Sequence, residues 1–102
     1  MEDIHQSLVQ QLGTEFDITT TGNIEQFLGA LQEAIKELLI HDLEKLHWIL
    51  YRIDVPERLA NTAFQSNDLD VISASLTQLI YNRQLEKLKT RGNTSKGDFI
   101  DL

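Results

Sequence analysis

The stretch Leu46-His47-Trp48-Ile49-Leu50-Tyr51-Arg52-Ile53-Asp54-Val55-Pro56-Glu57 decides the fold. A dense apolar helical repeat runs through Leu46, Leu50 and Ile53 and meets Asp-Val-Pro-Glu. That tetrapeptide has capping-box spacing, an acid with Glu three residues on, and Pro is accepted in a first helical turn because its missing N–H would be unpaired anyway. One helix is therefore expected to end where the next begins. Asp54 and Glu57 form the N-terminal cap of the second helix in this reading, and the chain turns sharply after Ile53.

Upstream, the periodicity is helical almost throughout. Asn23 followed by Gln26 is a second capping-box pattern, and Ile24, Phe27, Leu28, Leu31, Ile35, Leu38 and Leu39 make one apolar stripe behind it. Gly29 costs roughly 1 kcal/mol against Ala in a helix interior, so it is read as marking a close helix crossing. The stripe continues through Leu43, Leu46, Leu50 and Ile53. A bend near His41-Asp42 is favoured over one long helix, because Asp42 is a competent N-cap. A short first helix is expected from Asp3 to Leu12, carried by Ile4, Leu8 and Leu12 and terminated by Gly13. Thr14 to Gly22 reads as a loop with Phe16 and Ile18 alternating in an extended stretch against the core.

Downstream, a short helix is expected to reach Phe64, with a break at Gln65-Ser66-Asn67. Asn67 or Asp68 caps a long last helix that runs to Arg91, with Gly92 as its C′ residue. Residues 1–92 thus form one domain, and 93–102 read as a disordered tail. The fold class is all-α: a single-domain bundle of four or five helices, up-down or orthogonal.

Composition bounds the function. With 102 residues, 41% hydrophobic and 25% charged, the chain has the profile of one ordinary globular domain. It contains no cysteine, which removes disulfides, thiolate zinc sites and thiol nucleophiles and fits a reducing compartment. No secretory signal or membrane-length apolar run occurs, so the cytoplasm is the expected location. The net charge of −7 argues against a phosphate backbone as partner. The charge is uneven: residues 71–102 hold five Lys/Arg against three Asp/Glu. Arg83, Lys87, Lys89 and Arg91 among them lie where cations favour the negative end of the last helix's dipole. A patch for RNA or an acidic partner is the alternative reading of that cluster.

The pairing of LHWILYRIDVPE (Leu46 to Glu57) with LIYNRQLEK (Leu79 to Lys87) resembles a family of small, uncharacterised, all-helical bacterial proteins. In that family a Leu-Tyr-Arg-Ile-Asp-Val-x-Glu segment is followed by Leu-Ile-x-x-Arg-Gln-x-x-Lys. The resemblance covers roughly residues 38–88 and implies a helical intracellular protein. It implies no activity.

No catalytic, cofactor-binding or metal-ligating set emerges from the motifs. Glu44 and His47 form one Glu-x-x-His, whereas carboxylate-bridged di-iron bundles need two such motifs and two further Glu residues. Both residues point away from the apolar stripe, so a solvated helix face is favoured over a metal site. Glu37 and His41 are read as an i,i+4 pair. P-loop, nucleophile-elbow and dinucleotide fingerprints are absent, and the chain is read as a non-enzyme without cofactor.

Arg52, Asp54, Arg83 and Gln84 are polar residues lodged among apolar ones. The structural reading has Arg52 or Arg83 bridging a carboxylate or helix-end carbonyls near the turn, with its stem on the core. The alternative has them binding an anion. Arg83 shares a helical face with Leu69, Ile72, Leu76, Leu79 and Ile80, which favours the first. Tyr81, Leu85 and Leu88 recur on the opposite face of the same helix, and Trp48 and Tyr51 lie opposite Leu43, Leu46 and Leu50. Either these faces are covered inside the domain or they form a partner surface containing Trp and Tyr, types enriched at binding hot spots. The expected function is a non-enzymatic protein–protein interaction module, a homodimer or a small accessory subunit. A small enzyme or anion-binding protein using Tyr51, Arg52 and Arg83 is the alternative.

Overall fold

The structure is a computed structural model and describes residues 4–18 and 23–94, with the outermost turns as backbone alone. Five helices make up the described chain: α1 (Ile4–Phe16), α2 (Ile24–His41), α3 (Leu43–Ile53), α4 (Glu57–Ala63) and α5 (Leu69–Thr94). The all-α single-domain bundle expected from the periodicity is what forms. It measures 44 × 32 × 18 Å, and the shortest dimension is about two helices deep at roughly 10 Å each.

α5 packs most extensively on α2 and also on α1, and α1 packs on α2, so these three enclose the core. α3 lies on α2 and α5, and α4 lies on α5. The fully buried centre is Leu8 and Leu12 of α1, Phe27, Leu31 and Ile35 of α2, Leu46 of α3, and Leu76 and Ile80 of α5. In α1, α2 and α5 these residues recur at four-residue spacing, and in α3 Leu46 is joined by the buried Ile49, Leu50 and Ile53, so each of these helices buries one stripe. Two expected core residues lie outside that centre: Leu43 is 45% and Leu69 42% exposed. Both begin a helix, where the stripe has not yet come under a neighbour.

The start of α2 is as the sequence predicts. Asn23 Oδ1 accepts from the Gln26 N–H at 2.9 Å, and Gln26 Oε1 accepts from the Asn23 N–H at 3.1 Å. Asp42 alone separates α2 from α3. Its N–H donates to the Leu38 carbonyl at 2.8 Å, while its side chain accepts from the Lys45 N–H at 3.1 Å, so one residue ends one helix and starts the next. Gly29 is exposed, and a Cβ there would meet nothing within 4 Å. The expected crossing at Gly29 is absent.

The helix ends differ from expectation. Gly13 does not stop α1, which continues to Phe16. Phe16 is buried as a helical residue, not as part of an extended stretch. The terminator is Asp17, left-handed at φ 58°, with the Ile18 N–H donating back to the Gly13 carbonyl at 2.8 Å. This is a Schellman end with Asp where Gly is usual. α3 ends in the same way. Asp54 sits at φ 71°, its N–H reaches the Tyr51 carbonyl at 3.1 Å and the Val55 N–H reaches the Leu50 carbonyl at 3.1 Å. Val55 and Leu50 are both buried, which supplies the apolar contact of that motif. The expected role of Asp54 as N-cap of α4 is therefore overturned: Pro56 is the N-cap, and it has no side-chain bond. At α5 the cap is Asp68, whose Oδ1 accepts from the Asp70 N–H at 2.8 Å and whose carbonyl accepts from Ile72 at 2.9 Å. α5 passes through Gly92 to Thr94, so Gly92 is not its C′ residue. Of the tail read as disordered, Asn93 and Thr94 are helical and the remainder lies outside the described residues.

Candidate functional site

The two segments quoted from the centre and the last helix dock on each other. Arg83 donates from Nε to the Asp54 carbonyl at 3.0 Å, from Nη2 to Asp54 Oδ2 at 3.0 Å, and from Nη1 to Glu86 Oε1 at 2.9 Å. Lys87, one turn on, donates from Nζ to the Ile53 carbonyl at 3.1 Å. A helix leaves its last carbonyls without intrahelical partners and carries partial negative charge at that end. Leu50 and Tyr51 are served by the Schellman bonds, and Ile53 and Asp54 by two cations from α5. The hydrogen bonds to Asp54 and then Glu86 raise the Arg83 pKa above its ordinary value. The helix-dipole reading of the basic cluster thus has a different address: Arg83 and Lys87 serve the end of α3 instead of α5.

Gln84, between those cations, is buried and donates from Nε2 to Oε1 of Gln11 on α1. Among the described residues, Ser73 and Thr77 are the other buried polar side chains. Their hydroxyls bond backward to the carbonyls of Asp70 at 3.1 Å and Ser73 at 2.7 Å, which satisfies them where α5 packs on its neighbours.

Arg52 lies elsewhere. Its guanidinium carbon is 4.9 Å from the centroid of the Trp48 ring, and its Nη2 is 3.4 Å from Glu15 Oε2 on α1. Arg52 and Arg83 line two different hollows, one with Gln10, Gln11, Thr14 and Glu15 and the other beside Asp54. Tyr51, Arg52 and Arg83 do not share one.

The five candidate partner residues divide. Tyr81, Leu85 and Leu88 are half-buried and packed against the core. Trp48 and Tyr51 are 58% and 82% exposed. At about 100° per residue they lie roughly opposite the buried Leu46, Ile49, Leu50 and Ile53. Ile40 and Leu43, next to the Asp42 joint, are exposed too.

Glu44 and His47 are exposed, and the His47 ring lies 5.0 Å from that of Phe64. Among the described residues, no group of three or more His, Cys, Asp or Glu gathers as a metal site. His41 Nε2 is 3.4 Å from Glu37 Oε1. Lys36 of α2 is paired with Asp70 in the first turn of α5, and that hydrogen bond raises the Lys36 pKa above its ordinary value of 10.5. Among the described residues, no helix is long and apolar enough to cross a membrane.

An open groove of about 780 Å³ runs between α4 and α5, with Leu59, Leu79 and Leu85 along it. Leu59 follows Pro56 by three residues and marks the apolar side of α4, which is the signal that locates it. No protein-family model, curated protein or solved structure matches the chain.

Proposed function

We propose that the protein is a non-enzymatic protein–protein interaction module of the cytoplasm, a homodimer or a small accessory subunit, which docks through the outward face of α3. The observation that carries this reading is the exposure of Trp48 and Tyr51 side by side on that face. Large aromatics supply much contact area at low conformational cost and are enriched at hot spots. Arg52, held over Trp48, adds a third residue type favoured at interfaces. The alternative, an anion site built from Tyr51, Arg52 and Arg83, has less support, since the two arginines sit with different carboxylates.

The test is light scattering at micromolar concentration on wild type and Trp48→Glu/Tyr51→Glu. A dimer that becomes a folded monomer supports the homodimer. If wild type is monomeric, both proteins serve as baits for affinity capture, and a partner held by wild type and lost by the variant supports the accessory subunit. A monomer with no variant-sensitive partner defeats the reading.

A further inference from the structure

We infer that the groove between α4 and α5 receives Trp48 and Tyr51 of a second copy of this chain, in a two-fold exchange in which each copy fills the other's groove. This exchange rests on the reading of the outward face of α3 as a docking surface and supplies the surface that it meets.

Face and groove are complementary and lie side by side. Trp48 and Tyr51 project from α3 and are 58% and 82% exposed. Pro56, Leu59, Leu79 and Leu85 line a hollow of about 780 Å³, within the range of about 300–1,000 Å³ typical of pockets that enclose organic groups. Asp54, three residues beyond Tyr51, is itself part of the groove wall. A two-fold axis beside Asp54 then carries each copy's rings onto the other's groove, the isologous arrangement in which residue i meets j and j meets i. The charges left over also match. Asp54 and Glu86 at the groove are both engaged by Arg83. Lys89 is exposed there, and among the described residues no ion pair engages it. On α3, Glu44 lies one turn before Trp48, is exposed and, among the described residues, is likewise without an ion pair. The exchange sets Glu44 of one copy beside Lys89 of the other.

Area decides between a one-way contact and an exchange. At their observed exposure the two rings offer on the order of 300 Å² together, whereas a specific, stable interface takes about 800 Å² from each partner. Insertion in one direction falls well short of that. In the two-fold exchange each copy gives its rings and receives the other's, so the area on each side doubles to roughly 600 Å² before the surrounding polar rim is counted. One-way insertion would also leave a free groove and a free face at the two ends, which adds copies without closing. The reciprocal form covers both surfaces in a closed dimer.

The experiment mixes variants of the full chain. The face variant is Trp48→Ala/Tyr51→Ala and the groove variant is Leu59→Glu. Asn82→Arg serves as a second groove variant, since Asn82 lines the groove, is exposed and contributes nothing to the core. Analytical ultracentrifugation at micromolar concentration reads association, and circular dichroism confirms folding. The expected result is a wild-type dimer and a folded monomer for each variant alone. Mixing the face variant with either groove variant restores a dimer, because one intact face then meets one intact groove. That dimer is at least tenfold weaker than wild type, having kept one exchange of two. A mixture that stays monomeric would overturn the inference. A wild-type dimer abolished by the face variant but untouched by both groove variants would overturn it too, while leaving the α3 face as the docking surface. A monomeric wild type likewise overturns it and leaves only the accessory-subunit form of that reading. A dimer indifferent to the face variant defeats the exchange and the α3 homodimer together.

Discussion

Arg83 holds Asp54 twice, through Nε on its backbone carbonyl and through Nη2 on its carboxylate, both at 3.0 Å. The two bonds respond differently to substitution. Arg83→Ala removes both and is expected to lower the unfolding free energy by about 1 kcal/mol. Asp54→Asn keeps the carbonyl bond and the backbone turn. The lost charge pair is well exposed on the Asp54 side, so this variant is expected to cost no more than about 0.5 kcal/mol. Equal losses in urea titrations of the two variants would show that the carboxylate, not the helix end, is what Arg83 serves.

The left-handed Asp17 offers a stabilising change. A non-glycine residue at positive φ carries a steric cost that Gly lacks, and Asp17 is exposed. Asp17→Gly is expected to raise stability by about 0.5–1 kcal/mol, seen as a higher denaturation midpoint with an unchanged slope. A lower midpoint would mean that the Asp17 side chain contributes to the turn.

Gly13 and Gly29, in α1 and α2, should respond in a fixed order. A Cβ on Gly29 meets nothing within 4 Å, whereas one on Gly13 would lie 3.0 Å from the Ile18 carbonyl oxygen. Gly29→Ala is expected to gain about 0.5–1 kcal/mol. Gly13→Ala is expected to gain less or to lose, because the approaching atom belongs to the backbone of the α1 end. Thermal melts of both variants check the order, and a larger gain at Gly13 contradicts it.

The Lys36–Asp70 pair carries a pH signature. Because the folded Lys36 pKa lies above 10.5, its contribution is fully present below that value and is lost as pH rises through the folded pKa. Lys36→Met is thus expected to be less stable than wild type at neutral pH, with the gap closing above pH 10.5. A gap that stays constant into that range would assign the loss to packing of the lysine stem.

Exposed and buried apolar residues should separate cleanly. Trp48→Ala and Tyr51→Ala are expected to change stability by less than about 0.5 kcal/mol, while Leu12→Ala costs about 2–5 kcal/mol. Trp48 is the single tryptophan, so its emission should be red-shifted in the free protein and move to the blue when a partner covers it. A blue-shifted free protein would show the ring to be covered already.

Features set by neighbouring residues could be read from the sequence. The Asn23–Gln26 box and the Asp42 joint each need only a side chain within three residues of a helix start, so local spacing reveals them. The ends at Asp17 and Asp54 are hidden because Asp is both a good N-cap and a tolerated left-handed residue, and Pro56 two residues on makes the N-cap role the more apparent one for Asp54. That Arg83 should meet a carboxylate or helix-end carbonyls followed from a cation on an apolar face, but its partner lies 29 residues away, beyond any local pattern. The apolar faces were ambiguous for a related reason. Periodicity shows that Tyr81, Leu85 and Leu88 share a side, as Trp48 and Tyr51 do, yet only the placement of the other helices decides that the first set is half-covered and the second bare.

The attachment of α5 to the end of α3 also bears on the order in which the molecule assembles. The bonds from Arg83 and Lys87 close loops of 29 and 34 residues, and loop closure of that length draws its entropy cost before any contact is returned. On a ribosome, the carbonyls of Ile53 and Asp54 emerge well before the cations that will meet them. The bonds from α5 to that turn therefore form after the turn's own local bonds, and weakening them should hasten unfolding more than it slows folding.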